Sequence, residues 1–333
     1  MKRVELVVVG GGPAGLLAAA TAASWGVETL VIDENSSSGG RLRHETDVMP
    51  EIQGYVGLRG FELVAALQKE VERPGVKVLT EAVAWGLFKD RVLGVARRAH
   101  IPSEAENFSL PAKKIILATG AAENPVAFEG WTKPGVLNAW AAQSLLNLYG
   151  VLPGRRAVLV GGTDLGRRVA AQLTAAGMEV AAEVEPSSVQ AVIGTDRVER
   201  VILKDGELQA DTVIVAVGLS PVTELGLMAG AVPGCIPQLG GHCLLHDRRM
   251  RTTQPGILVA GHAAGVDDIR VLLLTGRIAG LSAASELGKL AEEVSDALIA
   301  QAWAEIKAIT ATSPRWEARQ RLVRQREARG DER

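Results

Sequence analysis

Residues 4–34, VELVVVGGGPAGLLAAATAASWGVETLVIDE, run from a β-branched strand through a glycine turn into a small-residue helix. They stop at Gly26 and enter a second strand that ends at Asp33-Glu34. This order is a βαβ unit with a dinucleotide fingerprint, and it confines the chain to the nucleotide-binding α/β folds. Gly10 makes the tight turn, Gly12 lets the backbone approach a pyrophosphate, and Gly15 lets the helix lie close on the strand. Pro13 and Ala14 open the helix, where the missing proline N–H costs nothing. The remaining free N–H groups and the positive end of the helix dipole face an anion. Asp33, 23 residues after Gly10, is placed to bond a ribose hydroxyl. A glycine-rich packing turn is the plainer alternative.

The grammar returns in RRAVLVGGTDLGRRVAAQLTAAGMEVAAEVE, residues 155–185, where Gly161 to Gly177 spans the same 16 positions as Gly10 to Gly26. This copy is damaged where binding matters, because Thr163 stands at the position of the middle glycine and obstructs close approach. Asp164 follows, and a carboxylate there is expected to cap the helix, repel a pyrophosphate and pair with Arg167 and Arg168. The unit is also short. Soon after Glu185 the sequence reads as a β-hairpin turning at Asp205-Gly206 and then a strand from Thr212 to Val217. NAD is not expected in this second site.

The fold class that follows is α/β, with two Rossmann-like dinucleotide-binding domains, the second smaller and degenerate, and a helical C-terminal tail. The reduced second domain is 151–221, and 289–333 form the C-terminal helix and polar tail. Apolar positions Leu287, Leu290, Val294, Leu298, Ile306 and Ile309 recur at near-helical spacing, so this helix is expected to meet a partner or its own domain. The arginine-rich segment after Pro314, with Trp316 alone among charges, reads as a solvated or disordered end.

Charge narrows the function classes. With 36 basic and 38 acidic residues the formal charge is -2, which gives no reason to expect nucleic acid, so attraction of a small-molecule substrate must be local. Lys2, Arg3 and the uncharged run from Leu6 to Trp25 imitate a signal peptide, but GGGPAG within that run argues against it. The expectation is a cytoplasmic chain with no membrane span. Cys235 and Cys243 cannot make a CxxC pair and read as small buried hydrophobes, and no metal site is expected.

The set GGGPAGL, DENSSSGGRL, IILATGAAENPVAFEGWTKPGV, VLVGGTDLG, DTVIVAVGLSP and MRTTQPGILVAGHAAG resembles the two-dinucleotide-fold flavoprotein reductases (the pyridine nucleotide-disulfide oxidoreductase group). Within that group, the segment from Ala118 to Leu165 is most similar to alpha-type subunits of heteromeric amine and amino-acid dehydrogenases. These include sarcosine oxidase, dye-linked proline dehydrogenase, opine and hydroxyproline dehydrogenases, and hydrogen cyanide synthase. The resemblance implies a first domain made of two segments, residues 1–120 and 222–288, with 121–150 as a connecting segment and the smaller second domain inserted into the first. It also implies that Gly10, Gly12, Gly15 and Asp33 or Glu34 hold the adenosine half of FAD, followed by Gly39, Gly40 and Arg41. Thr119 and Gly120 join this set, and Gly261 with His262 would meet the ribityl and pyrophosphate region. In several such subunits the pocket holds NAD or ATP instead, with FMN at a subunit interface and FAD in the partner.

At residue 262 the group usually has aspartate, and a neutral imidazole can accept one bond but is not a permanent anion. No redox cysteine pair follows Gly40, and no cysteine-rich C-terminal extension is present for an iron-sulfur cluster, so electrons would leave through flavin or a partner. His44, Glu45 and Asp47 are candidates for acid-base work, against the reading of an exposed charged loop. His100, His242 and His246 read as surface or loop residues.

The catalytic residues stay unassigned, which hydride chemistry on a cofactor permits. Three functions remain open. The chain is the nucleotide-binding oxidoreductase subunit of an amine dehydrogenase whose FAD-containing partner oxidises proline, sarcosine, an opine or a glycine-like substrate; a stand-alone NAD(P)H-dependent FAD oxidoreductase; or a non-catalytic nucleotide-binding scaffold.

Overall fold

The computed structural model describes residues 3–72, 75–98 and 106–330. Lys2 and His100 lie outside the described residues. The chain separates into one unit of residues 1–43, 47–121 and 220–333 and a second of residues 44–46 and 122–219.

The first unit begins with β1 (Val4–Val9), α1 (Pro13–Ser24), β2 (Thr29–Ile32), α2 (Gly60–Val71) and β3 (Val76–Leu79). It continues through β4 (Ala82–Phe88), β5 (Val92–Arg97) and β6 (Glu106–Leu117). After the short β7 (Ala121–Glu123) come the elements of the second unit, β8 (Val136–Asn138), α3 (Ala139–Tyr149), β9 (Arg156–Val160), α4 (Asp164–Ala175) and β10 (Glu179–Val184). There follow β11 (Val189–Ile193), β12 (Arg200–Leu203), β13 (Gly206–Gln209) and β14 (Thr212–Val215). Past β15 (Leu219–Pro221), the first unit resumes with α5 (Glu224–Met228), β16 (Pro233–Ile236), β17 (Gly241–Leu244) and β18 (Ile257–Val259), and ends with α6 (Ile269–Glu286), α7 (Glu292–Thr310) and α8 (Pro314–Gly330).

Among the described residues, seven strands form the main sheet of the first unit in the order β3-β2-β1-β6-β5-β4, with β18 pairing β6. The β1, β2, β3, β6 and β18 pairings are parallel and those of β4 with β5 and β5 with β6 antiparallel. Leu6, Val7, Val8 and Val9 are all buried, as a central parallel strand covered on both faces requires. Helix α6 lies against α1 at van der Waals distance of the backbone. A Cβ on Gly276 would stand 2.3 Å from the Ala14 carbonyl oxygen, so glycine alone permits the approach.

In the second unit, β10, β9, β14 and β8 make a parallel sheet in that order, and β11, β12 and β13 an antiparallel one. Residues 121–150, read from sequence as a connection, therefore supply an edge strand and helix α3, which packs on α4. The strand and helix missing after Glu185 come instead from before the glycine turn.

The C-terminal reading requires correction. The segment after Pro314 is helix α8, with Ala318, Arg319, Leu322 and Val323 buried. Positions 318, 322 and 319, 323 recur every four residues, and that narrow stripe is hidden in a composition dominated by arginine. Trp316 is not alone either, for its ring stands edge-on to Trp303 at 6.4 Å. Helix α7 packs on its own unit, with Leu290, Ile299, Ala302, Trp303 and Ile306 in the main core. Cys235 is exposed, and only Cys243 is a buried hydrophobe, with burial pushing its thiol up to about 12.

His246, read as a surface residue, is fully buried, at 0% exposure, where the chain leaves β17. Its Nδ1 lies 2.9 Å from the Asp247 carbonyl oxygen, and burial pushes its pKa from 6.5 down to about 4. Between those values the unfolded chain takes up a proton that the folded chain refuses, so stability falls as pH falls through this window. The loss is at most about 1.4 kcal/mol per pH unit. Denaturant midpoints recorded from pH 6.5 downward should decline less steeply in His246→Gln than in the parent, and identical slopes would contradict the assignment.

Candidate functional site

The first glycine turn joins β1 to α1. Gly12 is the N-cap of α1 in extended backbone, Pro13 follows, the first helical turn has no acidic residue, and no side chain among the described residues caps it. The first amide to find an intrahelical acceptor is Leu16 N, on the Gly12 carbonyl at 2.9 Å, so Ala14 and Gly15 present their N–H groups outward. A Cβ on Gly12 would meet nothing within 4 Å, whereas one on Gly15 would stand 2.0 Å from the Gly10 carbonyl oxygen. Gly15 is thus required by packing. At Gly12 the space is open, which is what an anion on a helix N-terminus needs.

The structure brings three segments to this turn. A Cβ on Gly40 would lie 3.1 Å from Gly12 Cα, and one on Gly261 would lie 2.9 Å from the Ala14 methyl carbon. Arg41 is exposed on the same one-turn 3-10 helix as Gly40, and Gln68 Nε2 holds the preceding loop through the Ser38 carbonyl at 2.9 Å. Asp33 is 5% exposed and serves the turn itself. Its Oδ2 accepts from Gly11 N at 2.8 Å and its Oδ1 from Asn35 N at 2.8 Å, while Glu34 is the exposed member of the pair. Thr119 and Gly120 end the central strand region, with the Thr119 hydroxyl donating to the Val222 carbonyl at 2.6 Å and Val222 N to the Gly120 carbonyl at 3.0 Å.

The second glycine turn has the opposite character. Thr163 is the N-cap of α4 and its hydroxyl accepts from Gly166 N at 3.2 Å. The expected capping by Asp164 and its pairing with Arg167 and Arg168 are corrected. Arg167 binds Glu183 through Nε and Nη2, at 3.1 and 2.8 Å, and Arg168 lies 3.6 Å from Glu45. The end of β10 brings Glu183 within reach, which helical spacing alone could not reveal. A Cβ on Gly162 would stand 2.4 Å from Glu183 Oε1 and 2.6 Å from Arg167 Nη2, so this ion pair lies against the turn.

His262 follows Gly261 on a 3-10 turn (Gly261–Ala264) and is half-buried. Burial pushes its pKa down to about 4, opposed by a hydrogen bond to the Asp267 backbone and by the Asp267 charge. At neutral pH it carries no positive charge for a phosphate. Asp268 caps α6, accepting from Arg270 N at 2.9 Å, and its carboxylate also pairs with the Arg270 guanidinium. Of the two helices that follow a glycine turn of the fingerprint pattern, α1 is the one with open space at its N-terminus.

His44 and Glu45 belong to the second unit, where the His44 Nδ1 stands 2.7 Å from the Ser144 hydroxyl and buried Glu45 accepts from Gln172 Nε2 at 3.0 Å and Gln143 Nε2 at 3.3 Å. Asp47 falls in the first unit. Glu45 is therefore a packing carboxylate and not an exposed loop charge. No group of three or more His, Cys, Asp or Glu side chains among the described residues could hold a metal, and no described helix is long and apolar enough to cross a membrane.

Parallel sheets, an open glycine turn and a capped second copy define a dinucleotide-binding α/β protein. The chain belongs to the pyridine nucleotide-disulphide oxidoreductase family, whose pattern matches residues 4–187. It is 28% identical to an opine oxidase subunit of Agrobacterium tumefaciens over 89% of this chain and 68% of that one. It is 35% identical to the alpha subunit of sarcosine oxidase from Rhizobium meliloti over 54% of this chain, and it spans 19% of that polypeptide's length. The crystal structure of L-proline dehydrogenase from P. horikoshii superimposes with a TM-score of 0.77 at 25% identity, covering 90% of this chain and 59% of that one.

Proposed function

We propose that this chain is the nucleotide-binding subunit of a heteromeric amine or amino-acid dehydrogenase, with substrate oxidised in a partner subunit. The observation that carries the reading is the contrast between the two glycine turns, the first open and uncapped and the second capped by its own Thr163 with the Arg167–Glu183 pair against it. A stand-alone NAD(P)H-dependent reductase needs both. The names of the relatives, oxidase subunits and a proline dehydrogenase, agree with donors of the amine class.

In this reading the amides of Ala14 and Gly15 and the dipole of α1 bind the phosphates of an adenine nucleotide. Gly12 and Gly40 leave room for it, Asp33 holds the turn in shape, and Glu34 is the acid within reach of a ribose. Gly261 and His262 border the distal half. When that nucleotide is FAD it supplies a two-electron acceptor; NAD or ATP would act as a structural ligand, with electrons carried by flavin at a subunit interface or in the partner.

His262 governs which nucleotide is preferred. A hydrogen bond regained at the ribityl end is worth about 0.5–1.5 kcal/mol, roughly tenfold at most. His262→Asp should therefore raise the affinity for FAD relative to NAD and ATP by up to about tenfold in parallel calorimetric titrations. Unchanged ratios would mean that the imidazole is only a satisfied turn residue.

The functional reading itself is tested by purifying the tagged chain from its natural source. The expected preparation contains a second, flavin-bearing polypeptide and reduces a dye when given an amino acid. A single polypeptide that reduces the dye with NADH alone would overturn the subunit reading.

A further inference from the structure

We propose that Arg319, on the C-terminal helix, is a positioning residue for the nucleotide site, holding the loop 261–268 in the shape that sets Gly261 against the head of α1. This rests on the reading of the first glycine turn as a nucleotide site. Arg319 is the largest fully buried side chain among the described residues, and it pairs with Asp267 at 2.8 Å with both side chains only 1% exposed. Its Nη1 donates to the Ala264 carbonyl at 3.4 Å, and Arg315 stands 3.7 Å from the other Asp267 oxygen.

A buried ion pair gives little net stability compared with apolar side chains of the same volume, and its best-attested use is to specify one arrangement. Here it specifies a segment with weak conformational preferences of its own. Gly261 and Gly265 both have positive φ, +68° and +119°, and a single 3-10 turn lies between them. The loop's other ties include Gly261 N on the Thr275 hydroxyl at 3.0 Å, Val266 N on the Leu239 carbonyl at 2.8 Å, Gly265 N on the His262 carbonyl at 2.9 Å and the bond of His262 to the Asp267 backbone. Arg319 adds a tether from helix α8 to the middle of the loop, at 264 and 267 together, through one rigid guanidinium. Helix α8 does not need Arg319 to stay in place. Ala318 and Leu322 cluster with Ile236, Leu239, Cys243 and Leu245, and Arg326 donates to the Thr252 carbonyl at 3.1 Å.

The experiment replaces the pair, since removing one partner would leave a buried charge unpaired. The double variant Arg319→Met with Asp267→Leu is expected to melt close to the parent. In nucleotide-free protein its amides from 261 to 266 should exchange with deuterium at least tenfold faster, and calorimetry with ATP, NAD and FAD in turn should show at least a tenfold loss for whichever the parent binds. Arg319→Lys keeps the charge beside Asp267 without the second arm and should fall between the two; it also serves if the double variant fails to fold. Parent-like exchange and parent-like affinity in a folded variant would overturn the proposal. If the parent binds none of the three nucleotides, the nucleotide reading fails, and with it the role of Arg319 there, whereas altered binding with unaltered exchange would overturn positioning through the loop.

Discussion

Gly12→Val is expected to fold as the parent does and to bind no adenine nucleotide. A Cβ at residue 12 meets nothing within 4 Å beyond its chain neighbours, so the fold has room for a small side chain there, but that side chain occupies the space in front of the free amides of α1. Blocking that cradle should weaken binding at least 100-fold, about 2.7 kcal/mol. Gly15→Val is the control in the other direction. Its Cβ would lie 2.0 Å from the Gly10 carbonyl oxygen, and the variant should fail to accumulate as folded protein. The pair separates loss of a ligand from loss of a fold. Titration of the Gly12→Val protein with NADH and NADPH should also be flat, because the second turn is capped by its own threonine with the ion pair against it. Saturable NADH binding in that variant would show the second turn to be a working site.

Truncation after Gly288 is expected to leave an insoluble or unfolded chain. Helix α7 and the residues just before it contribute Leu290, Ile299, Ala302, Trp303 and Ile306 to the main core, and removing them bares the face of α6 on which α7 packs. Trp303 is 3% exposed, with its indole N–H donating to the Arg248 carbonyl at 2.7 Å. Trp303→Ala alone should cost about 3–5 kcal/mol in chemical denaturation. A soluble truncated chain with the parent's unfolding midpoint would show that the helix serves a partner and not its own domain.

Much of the fold is legible in the sequence because its signals are local. The β-branched run of residues 4–9, the glycines at 10, 12 and 15 and the stop at Gly26 each act within a few residues, and strand β1 and helix α1 lie where they point. The hairpin at Asp205-Gly206 is legible for the same reason. What escapes the sequence depends on partners far along the chain. Arg167 meets Glu183 because β10 lies beside β9, and Arg319 meets Asp267 across 52 residues. Charged residues that end in a buried pair look, in composition, like solvated ones. His246 escapes in the same way, since LLHDRRM offers no periodicity from which its burial could be deduced. Within the site, the sequence points to the glycines, but only the bonds of Asp33 to Gly11 and Asn35 distinguish it from Glu34 as the residue that braces the turn.

Whether the first glycine turn holds an adenine nucleotide is decided by denaturing the chain, purified with and without its natural partner, and measuring the identity and amount of nucleotide released. The expected yield is close to one adenine nucleotide per chain from the parent in at least one of these states, and none from Gly12→Val. A parent that releases none in either state, and takes up neither FAD, NAD nor ATP on titration, would contradict the assignment of this turn as a nucleotide site.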